Sequence, residues 1–574
     1  MSGLKGGLHL ALLFPCTLLT GCGAGDSTLT DNDEFFVEDV VTTTEDPFNR
    51  DQLMVVQIEL DEEDFAALQT EGRTPGSAIS ACPDDDFRYT EFRASVTING
   101  QPLDNVGIRK KGYLGSLSEE KPSFKLDFSE YQEGRYFQGL DRLTLNNNRQ
   151  DPSHLRQCLA YDVYRQAGLS VPRCNWARVV VNGRDMGIYS HVESIRKPFL
   201  QRAFGDDSGN LYEAQLAEFG SYLNDHFQLK TNIRANDRRD LDEVAELLQS
   251  TDPQWLEKLA EKLDITEFIQ LWAADVALGN WDSTSGNTNN YFMYHNPADE
   301  RFHFIPWGTD AAWSGDFILK PGLGPLYRTH QLAKRLYDIP AYRAQFEQAV
   351  ADLQSQAAAP TTLNTAIERY KTITASPAAA VSQLQTFING DGTTPAWQAQ
   401  VDHALQTEGS GQTEYSNSDE QPSCNDVTFD LALKFSASTA LDSGTFTFTD
   451  PDGQEINASI LIASYGSQGV DSISYQLDDS TAPETHALTI IGVDVNDSYQ
   501  PYALQLSLES ASARAGSHNL QGFANSLMLF RVADDQSIEL IATASSGQIV
   551  IDNFDPQAGL FAAEFSVQMQ TFGR

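Results

Sequence analysis

The order of two hydrophobic patterns constrains the fold of this chain more than any other feature. From residue 53 to about residue 192, apolar and polar residues alternate in short runs, and Asn99-Gly100 and Asn182-Gly183 supply hairpin turns between runs. From residue 266 to about residue 374, apolar residues instead recur at helical spacing. A mainly β first half followed by a mainly helical second half predicts a two-lobed α+β domain, to which we assign residues 51–404.

The individual elements follow from the same patterns. The expected strands are 54–60, 92–98, 107–111, 123–128, 178–181 and 187–192. Asp61 is expected to cap a short helix that runs to residue 68, and Asp151-Pro152 to open another that runs to about residue 167. The expected helices of the second half are 266–278, 332–336, 341–354 and 366–374.

The composition changes near residue 405. Residues 405–424 are rich in Gly, Ser, Glu, Gln and Asn, which is typical of a linker. Beyond the linker, short alternating runs separated by turn residues predict an all-β, sandwich-like accessory domain over residues 425–574. A barrel is the other architecture that such a pattern allows.

Residues 1–22 resemble the signal peptide of a bacterial lipoprotein. Their apolar run, residues 8–19, is too short to remain as a membrane span. The run ends in Leu19-Thr20-Gly21-Cys22, which is similar to the lipobox, in which the Cys is acylated and becomes the mature N-terminus. We therefore expect export and a lipid anchor at Cys22 as the only membrane contact, with Gly23 favouring the outer membrane. The alternative is an ordinary signal peptide with an incidental Cys.

Residues 23–50 are acidic and rich in Thr, without apolar periodicity, and are expected to be a tether that holds the folded part off the membrane. Acidic residues also dominate the whole chain: 80 Asp and Glu against 39 Lys and Arg give a formal net charge of -41. Such a surface repels nucleic acid and anionic lipid, so neither is expected as a partner. It suits cations and basic proteins, although a solvated acidic surface without a partner is the alternative.

Four cysteines remain once Cys16 and Cys22 of the signal segment are set aside. They are Cys82, Cys158, Cys174 and Cys424. Their spacing fits no zinc site, and an even number in an exported chain predicts one or two disulfides among three possible connectivities.

Candidate functional residues first appear in a Lys-rich pair of strands. Lys111 ends one expected strand, and Lys125 lies in the next between Phe124 and Leu126. Because side chains alternate across a strand, Lys125 points away from its two apolar neighbours. Such a Lys can pair with phosphate groups. The alternative is an edge-strand Lys that faces water.

Two further segments supply carboxylate and amide groups. Asp282 precedes Asn287 by five residues in a polar loop after the helix that ends near Gly279, which is the separation of Asp and Asn in a kinase catalytic loop. A buried strand delivers Asp310 at its end, where a metal-binding carboxylate is expected. Phosphoryl transfer needs one Lys for phosphates, one carboxylate for the attacking hydroxyl, and an Asn with a second carboxylate for the metal. A polar turn and a turn cap are the alternative interpretations.

Together these segments resemble the spore-coat CotH kinase family over residues 53 to about 374. The family typically has a strand with two or more Lys, an Asn-Gly hairpin followed by Gly-x-Tyr, a Gly-Asn-Leu-Tyr element, an Asp/Asn loop ending in Asn-Tyr, and a Trp-Asp-x-Asp segment. The matching residues are Asn182-Gly183, Gly187-Ile188-Tyr189, Gly209-Asn210-Leu211-Tyr212, Asn290-Tyr291 and Trp307-Gly308-Thr309-Asp310.

The resemblance implies an atypical protein kinase that uses ATP with magnesium or manganese. Its substrate would be a Ser or Thr of a secreted or surface protein, and charge complementarity favours a basic, Ser-rich one. Asp282 would be the catalytic Asp, and Lys125 would contact the nucleotide phosphates. Asn287 and Asp310 would hold the metal.

Some of these assignments have alternatives. Asn290 could replace Asn287 at the metal, and Lys111 could replace Lys125 at the phosphates. Glu193 is the candidate partner that orients Lys125. The sequence departs from the family pattern at Gly308, where the first Asp of Trp-Asp-x-Asp is missing, so Asp310 is the expected ligand.

A second hypothesis is a non-enzymatic surface adhesin or assembly protein that uses the same fold as a binding module. Gly308, the acidic surface, the membrane anchor and the β-rich tail favour it. The complete set of Lys125, Asp282, Asn287 and Asp310 favours the kinase.

Overall fold

The computed structural model describes residues 46–72, 87–112, 116–219, 224, 226–314 and 325–407. It also describes residues 428–437, 445–449, 455–466, 485–494, 500–509, 514–520, 525–532, 538–555 and 560–571. Cys22, the signal segment, Cys82 and Cys424 lie outside the described residues. Mixed α and β structure confirms the α+β class.

Seven strands form a closed barrel in the order β1-β2-β3-β4-β5-β7-β6. Their bounds are β1 Met54–Glu59, β2 Phe92–Ile98, β3 Gln101–Lys111, β4 Ser123–Asp127, β5 Arg142–Asn146, β6 Cys174–Val181 and β7 Arg184–Val192. The ring closes through a parallel pairing of β1 with β6, and the other pairings are antiparallel. Asn99-Gly100 and Asn182-Gly183 both have positive φ angles, as the predicted hairpin turns require.

The barrel is filled by apolar side chains that alternate along its strands. Val56, Ile108, Phe124, Leu126 and Leu145 are all fully buried in this cluster. Helix α1, Glu62–Thr70, packs Phe65 and Leu68 against it, and Asp61 caps the helix by accepting from the Glu63 N–H, as predicted.

A second, four-stranded sheet has the order β11-β10-β8-β9. Its strands are β8 Asn210–Ala214, β9 Phe227–Leu229, β10 Tyr291–Asn296 and β11 Arg301–Pro306. The remaining helices of this region are α2 Arg156–Gln166, α3 Lys197–Phe204, α4 Arg239–Gln249, α5 Trp255–Ala260, α6 Ile265–Leu278, α7 Gln331–Tyr337, α8 Pro340–Ser355, α9 Pro360–Ile373, α10 Ala378–Asn389 and α11 Trp397–Thr407. One large core joins α2 and α6–α11 to this sheet.

Helix α2 begins later than the predicted start at Asp151-Pro152. The residues before it form turns, and the Asp151 side chain accepts from the Arg156 N–H at 2.7 Å, so Asp151 holds the start of the helix from outside it. Cys158 in α2 is disulfide-bonded to Cys174 at the start of β6. This is one of the bridges that the sequence left open.

Among the described residues beyond 427, every regular element is a β-strand, as predicted. Its strands are β12 Thr428–Ala437, β13 Thr445–Thr449, β14 Glu455–Gly466, β15 Thr485–Asp494, β16 Gln500–Glu509, β17 Gly516–Asn519, β18 Ser526–Val532, β19 Ile538–Asp555 and β20 Leu560–Thr571. They form one antiparallel sheet in which β19 also pairs with β20, so the pairings run in a closed ring. Of the two predicted architectures, this ring matches the barrel and not the sandwich. Within the part of the chain that the structure describes, no helix is both long and apolar enough to cross a membrane.

Candidate functional site

The outer face of β3, β4 and β5 is polar, although the inner face of the same strands is apolar except for Lys110, which donates to the Gln69 carbonyl oxygen. Arg109 in β3 lies opposite Lys125 in β4, which lies opposite Thr144 in β5. Two residues further along β3, Lys111 lies opposite Ser123. Because side chains alternate across a strand, these residues project away from the barrel interior. They form the first side of the candidate site.

Lys125 lies in a strongly cationic environment. Burial is the largest cause that holds its pKa well below that of a free lysine, and the charges of Arg109 and Arg142 lower the pKa further. The carboxylate of Glu213 acts in the opposite direction. Among the described residues no hydrogen bond or ion pair holds the Lys125 ammonium, so this group can accept an anionic ligand.

Lys111 connects the barrel to the other side of the site. Its ammonium donates to Oδ1 of Asn146 and lies 5.9 Å from the centre of the Trp307 ring. Burial lowers the pKa of Lys111 to about 8, while the charges of Asp310 and Glu213 oppose that shift. Lys111 in turn opposes the rise in the pKa of Asp310 that burial causes. Lys111 is therefore the lysine whose charge acts on Asp310, the candidate metal ligand.

Glu213 in β8 is not among the site residues predicted from the sequence. Burial alone would raise its pKa, but the charges of Lys230, Lys125 and Lys111 hold the pKa below its ordinary value. Its carboxylate forms an ion pair with Lys230 at 2.5 Å. A signal existed, because Glu213 directly follows Gly209-Asn210-Leu211-Tyr212, one of the segments that resemble the family. The pairing of β8 with β9 brings Glu213 and Lys230 together.

Glu193 does not hold Lys125, which corrects that assignment. Its two carboxylate oxygens form ion pairs with Arg173 at 2.8 Å and with Arg202 at 2.7 Å. It also accepts from the Arg173 backbone N–H at 3.0 Å. Because these partners saturate the carboxylate, Glu193 ties β7 to the start of β6 and to α3, and Glu213 is the carboxylate near Lys125.

The loop that follows α6 is fixed by a buried carboxylate. Oδ2 of Asp275 accepts from both the N–H and the hydroxyl of Ser285, at 3.0 and 2.6 Å, and Oδ1 accepts from the Tyr164 hydroxyl at 2.7 Å. Gly286 leaves no room for a side chain, because a Cβ there would lie 1.9 Å from the carbonyl oxygen of Trp281. These contacts give the segment a single shape and place Asp282 within it.

Asp282 is held by the asparagines of its own loop. Nδ2 of Asn289 donates to Oδ1 at 2.9 Å, and Nδ2 of Asn290 donates to Oδ2 at 2.7 Å. Burial raises the pKa of Asp282 to about 6. The hydrogen bonds from Asn289, Asn287 and Asn290 oppose the rise, and the charge of Asp310 adds to it. Asp282 and Asp310 are thus close enough to influence each other, as two groups of one site must be.

Asn290 explains why residue 308 is a glycine. Gly308 has a φ of 51°, and a Cβ built on it would lie 2.6 Å from Oδ1 of Asn290. A side chain at position 308, including the Asp of the family pattern, would displace Asn290 from Asp282. Asp310 follows in the short 3-10 turn Thr309–Ala311 and is the remaining carboxylate of this segment.

The structure therefore brings together Asp282, Asp310, Asn287, Asn290 and Lys111. Lys125 lies on the adjacent strand, two residues from the position opposite Lys111. Oδ1 of Asn287 is buried and has no hydrogen-bond partner among the described residues. An unpaired amide oxygen beside a carboxylate fits a magnesium ion, which prefers oxygen ligands. No group of three or more His, Cys, Asp or Glu able to hold a metal occurs in the described ranges.

Comparisons with known proteins find one matching family and two similar proteins. The family model described as "CotH kinase protein" matches residues 108–407, which is 300 of the 574 residues. The chain is 26% identical to inner spore coat protein H of Bacillus subtilis (strain 168) over 236 residues, which cover 39% of this chain and 62% of that protein. It is 25% identical to an inner spore coat protein H-like protein of the same organism over 231 residues, covering 40% of this chain and 64% of that protein. In both cases the chain matches less than two thirds of the relative.

Proposed function

Because this chain belongs to the CotH kinase protein family, we propose that residues 51–404 form an atypical protein kinase. It would transfer the terminal phosphoryl group of ATP to a Ser or Thr hydroxyl of a secreted or surface protein. The observation that carries the proposal is the convergence of Asp282, Asn287 and Asp310 on one half-buried site that also receives Lys111.

We further propose that the barrel and the helical part act as the two lobes of a kinase-like fold. Lys111 and Lys125 come from strands of the barrel. Asp282 and Asn287 come from the loop that joins α6 to β10, and Asp310 comes from the turn after β11. A site built from both parts supports this division, because phosphoryl transfer places the phosphate contacts and the catalytic carboxylate on opposite sides of the donor.

Asp282 is the proposed acceptor of the substrate's proton. With a pKa of about 6 it is mostly ionised at neutral pH, yet it is more basic than an exposed Asp. The substrate hydroxyl oxygen would bond to the terminal phosphorus while its proton passes to Asp282. The bond from that phosphorus to the bridging oxygen would break, and the nucleoside diphosphate would leave. Asn289 and Asn290 orient the carboxylate for this role.

Asp310 and the amide oxygen of Asn287 are the proposed ligands of magnesium or manganese. A bound ion would neutralise the phosphate charge as the phosphoryl group transfers. We assign Lys111 to the phosphates nearest the metal, because it is the lysine whose charge acts on Asp310. Lys125 would contact the phosphates of ATP that lie further from the metal. Glu213 would orient the ammonium groups of Lys111 and Lys125.

We also propose that the protein is exported and anchored through a lipid on Cys22. The Cys158–Cys174 disulfide supports an exported location, because disulfides persist mainly in oxidising compartments. The net charge of -41 supports a basic, Ser-rich protein substrate through charge complementarity.

The test is transfer by the mature chain from labelled ATP, with magnesium or manganese, to a basic Ser-rich protein. Asp282→Asn should lower the transfer rate by roughly 10²- to 10⁴-fold, the usual contribution of a general base. Asp338→Asn is the matched control, because Asp338 is exposed at the end of α7. Transfer that survives in Asp282→Asn would remove Asp282 from this role. A chain that neither transfers phosphate nor binds nucleotide would instead be a binding module.

A further inference from the structure

The first turn of α2 lies between the two sides of the candidate site. Gln157, its second residue, is fully buried. Oε1 of Gln157 accepts from Nδ2 of Asn146 at 2.8 Å, and Oδ1 of Asn146 accepts from the Lys111 ammonium. Gln157 is thereby connected, through one amide, to the lysine on the barrel side of the site.

The directions of these hydrogen bonds are fixed by chemistry. A lysine ammonium can only donate, so Asn146 must present its oxygen to Lys111 and its NH2 group to Gln157. Gln157 must then present its own oxygen to Asn146. This leaves Nε2 of Gln157 as the free end, and that atom is buried without a partner among the described residues. The oxygen of the Gln157 amide is thus held by Asn146, while its other end neighbours the buried Tyr161 hydroxyl.

The main chain of Gln157 connects to the metal side. Its carbonyl oxygen accepts from the Thr309 hydroxyl at 3.2 Å, and Thr309 begins the turn that carries Asp310. Arg156, the residue before Gln157, contributes its charge at Asp310. One residue therefore contacts both the group that fixes Lys111 and the group that precedes Asp310.

We propose that Gln157 is a positioning residue that sets Lys111 and Asp310 at a fixed separation, so that one phosphate–magnesium complex can engage both. The inference rests on the proposed function, because it gives Lys111 to phosphate and Asp310 to the metal. A residue of this kind acts on the cooperation between metal and nucleotide and not on either one alone.

The experiment measures the affinity of the mature chain for a non-hydrolysable ATP analogue with and without magnesium, alongside transfer kinetics. Gln157→Leu removes the acceptor for Asn146. It should reduce the factor by which magnesium strengthens analogue binding by roughly tenfold, and lower kcat more than it raises KM, as lost support of a metal ligand does. Binding of the analogue without magnesium should change less than twofold.

Two variants make the result specific. Gln157→Glu keeps an oxygen acceptor for Asn146 and should retain most of the magnesium effect. Gln166→Leu changes an exposed Gln in the last turn of the same helix and should behave as the parent protein. Thermal unfolding of each variant reports any loss of folded protein.

Three outcomes would overturn the inference. In the first, Gln157→Leu keeps the full magnesium effect. In the second, both affinities fall equally, which indicates a merely structural role. In the third, Gln157→Glu is as impaired as Gln157→Leu. Failure of the proposed function looks different, because then the parent protein itself shows neither transfer nor any effect of magnesium on nucleotide binding.

Discussion

Two faces of the same three strands, β3, β4 and β5, have opposite characters. Besides Lys110 at the end of β3, the inner face carries apolar residues that are all fully buried: Ile108, Phe124, Leu126, Leu143 and Leu145. The outer face carries Arg109, Lys111, Lys125, Arg142 and Thr144. Stability and the proposed chemistry thus lie on opposite sides of one barrel wall. A substitution can therefore change one with little change in the other, even at adjacent positions.

The outer face costs stability, because its cations are partly removed from water. Burial lowers the pKa of Arg109, Lys111 and Lys125, which means that folding disfavours their charged forms. Active sites commonly retain such groups because their task requires them. The two faces therefore differ in the sign of their contribution to folding stability: the inner face stabilises the fold, and the charges of the outer face destabilise it.

The largest effect that tests this contrast comes from adjacent residues of β4. Leu126→Ala on the inner face should lower the free energy of unfolding by about 2–5 kcal/mol, the usual cost of a buried Leu→Ala change. Lys125→Met on the outer face should leave the free energy of unfolding equal or higher at pH 7, because it keeps the apolar stem and removes a disfavoured charge. Urea unfolding of both variants gives the two values.

The pH dependence of the Lys125→Met variant has a defined sign. The pKa of Lys125 is below the ordinary 10.5 in the folded chain, so charging Lys125 opposes folding at neutral pH. This cost is relieved as the pH rises toward 10.5, so the gain in the variant should shrink over that range. A loss of several kcal/mol at pH 7 would instead show that Lys125 supports the barrel and would break the comparison.

Much of this contrast could be predicted from the sequence. Alternation alone placed Lys125 opposite to Phe124 and Leu126, and the Asn-Gly turns fixed the register of two hairpins. The Asp282 to Asn290 loop was recognisable because its residues are neighbours in the chain. Local sequence patterns were thus sufficient to predict the strands and the loop that forms one side of the site.

The partners between distant segments could not be predicted in this way. Glu193 and Glu213 are equivalent in the sequence as acidic residues near strand ends. Only the folded chain shows that Glu193 pairs with two arginines. It also shows that Glu213 lies under the charges of Lys230 and of the two site lysines. Likewise, Gly308 departs from the family pattern for a reason that lies 18 residues earlier, in the position of the Asn290 side chain.

A pH profile sharpens the comparison, because Lys111 of the outer face and Asp282 of the loop have pKa values of about 8 and about 6. The value of kcat/KM for phosphoryl transfer should fall about tenfold per pH unit below 6 as Asp282 becomes protonated. This ratio is the one to measure, because its pH dependence reflects the pKa values of the free enzyme. It should fall similarly above pH 8 as Lys111 loses its proton. Rates from pH 5 to 10 on the parent chain check both limbs.

The upper limb has its own control. In Lys111→Arg the guanidinium stays charged throughout the range, so the fall above pH 8 should disappear even if the rate at pH 7 drops. A profile of Lys111→Arg that still declines at the same pH would assign that limb to another group and would leave Lys111 without a role at the phosphates.

The smallest expected effect concerns Gly308, whose added Cβ would meet the Asn290 side chain that holds Asp282. Gly308→Ala should lower the free energy of unfolding by about 1–2 kcal/mol for the left-handed backbone alone, and by more because the new Cβ would meet Asn290 at 2.6 Å. Gly183→Ala is the matched control, because Gly183 also has a positive φ, 76°, with nothing within 4 Å of its added Cβ. The difference between the two variants isolates the contact with Asn290. Equal losses in urea unfolding, with transfer unchanged in both, would mean that Asn290 tolerates a side chain at position 308. Asn290 would then not be what excludes the missing Asp of the family pattern.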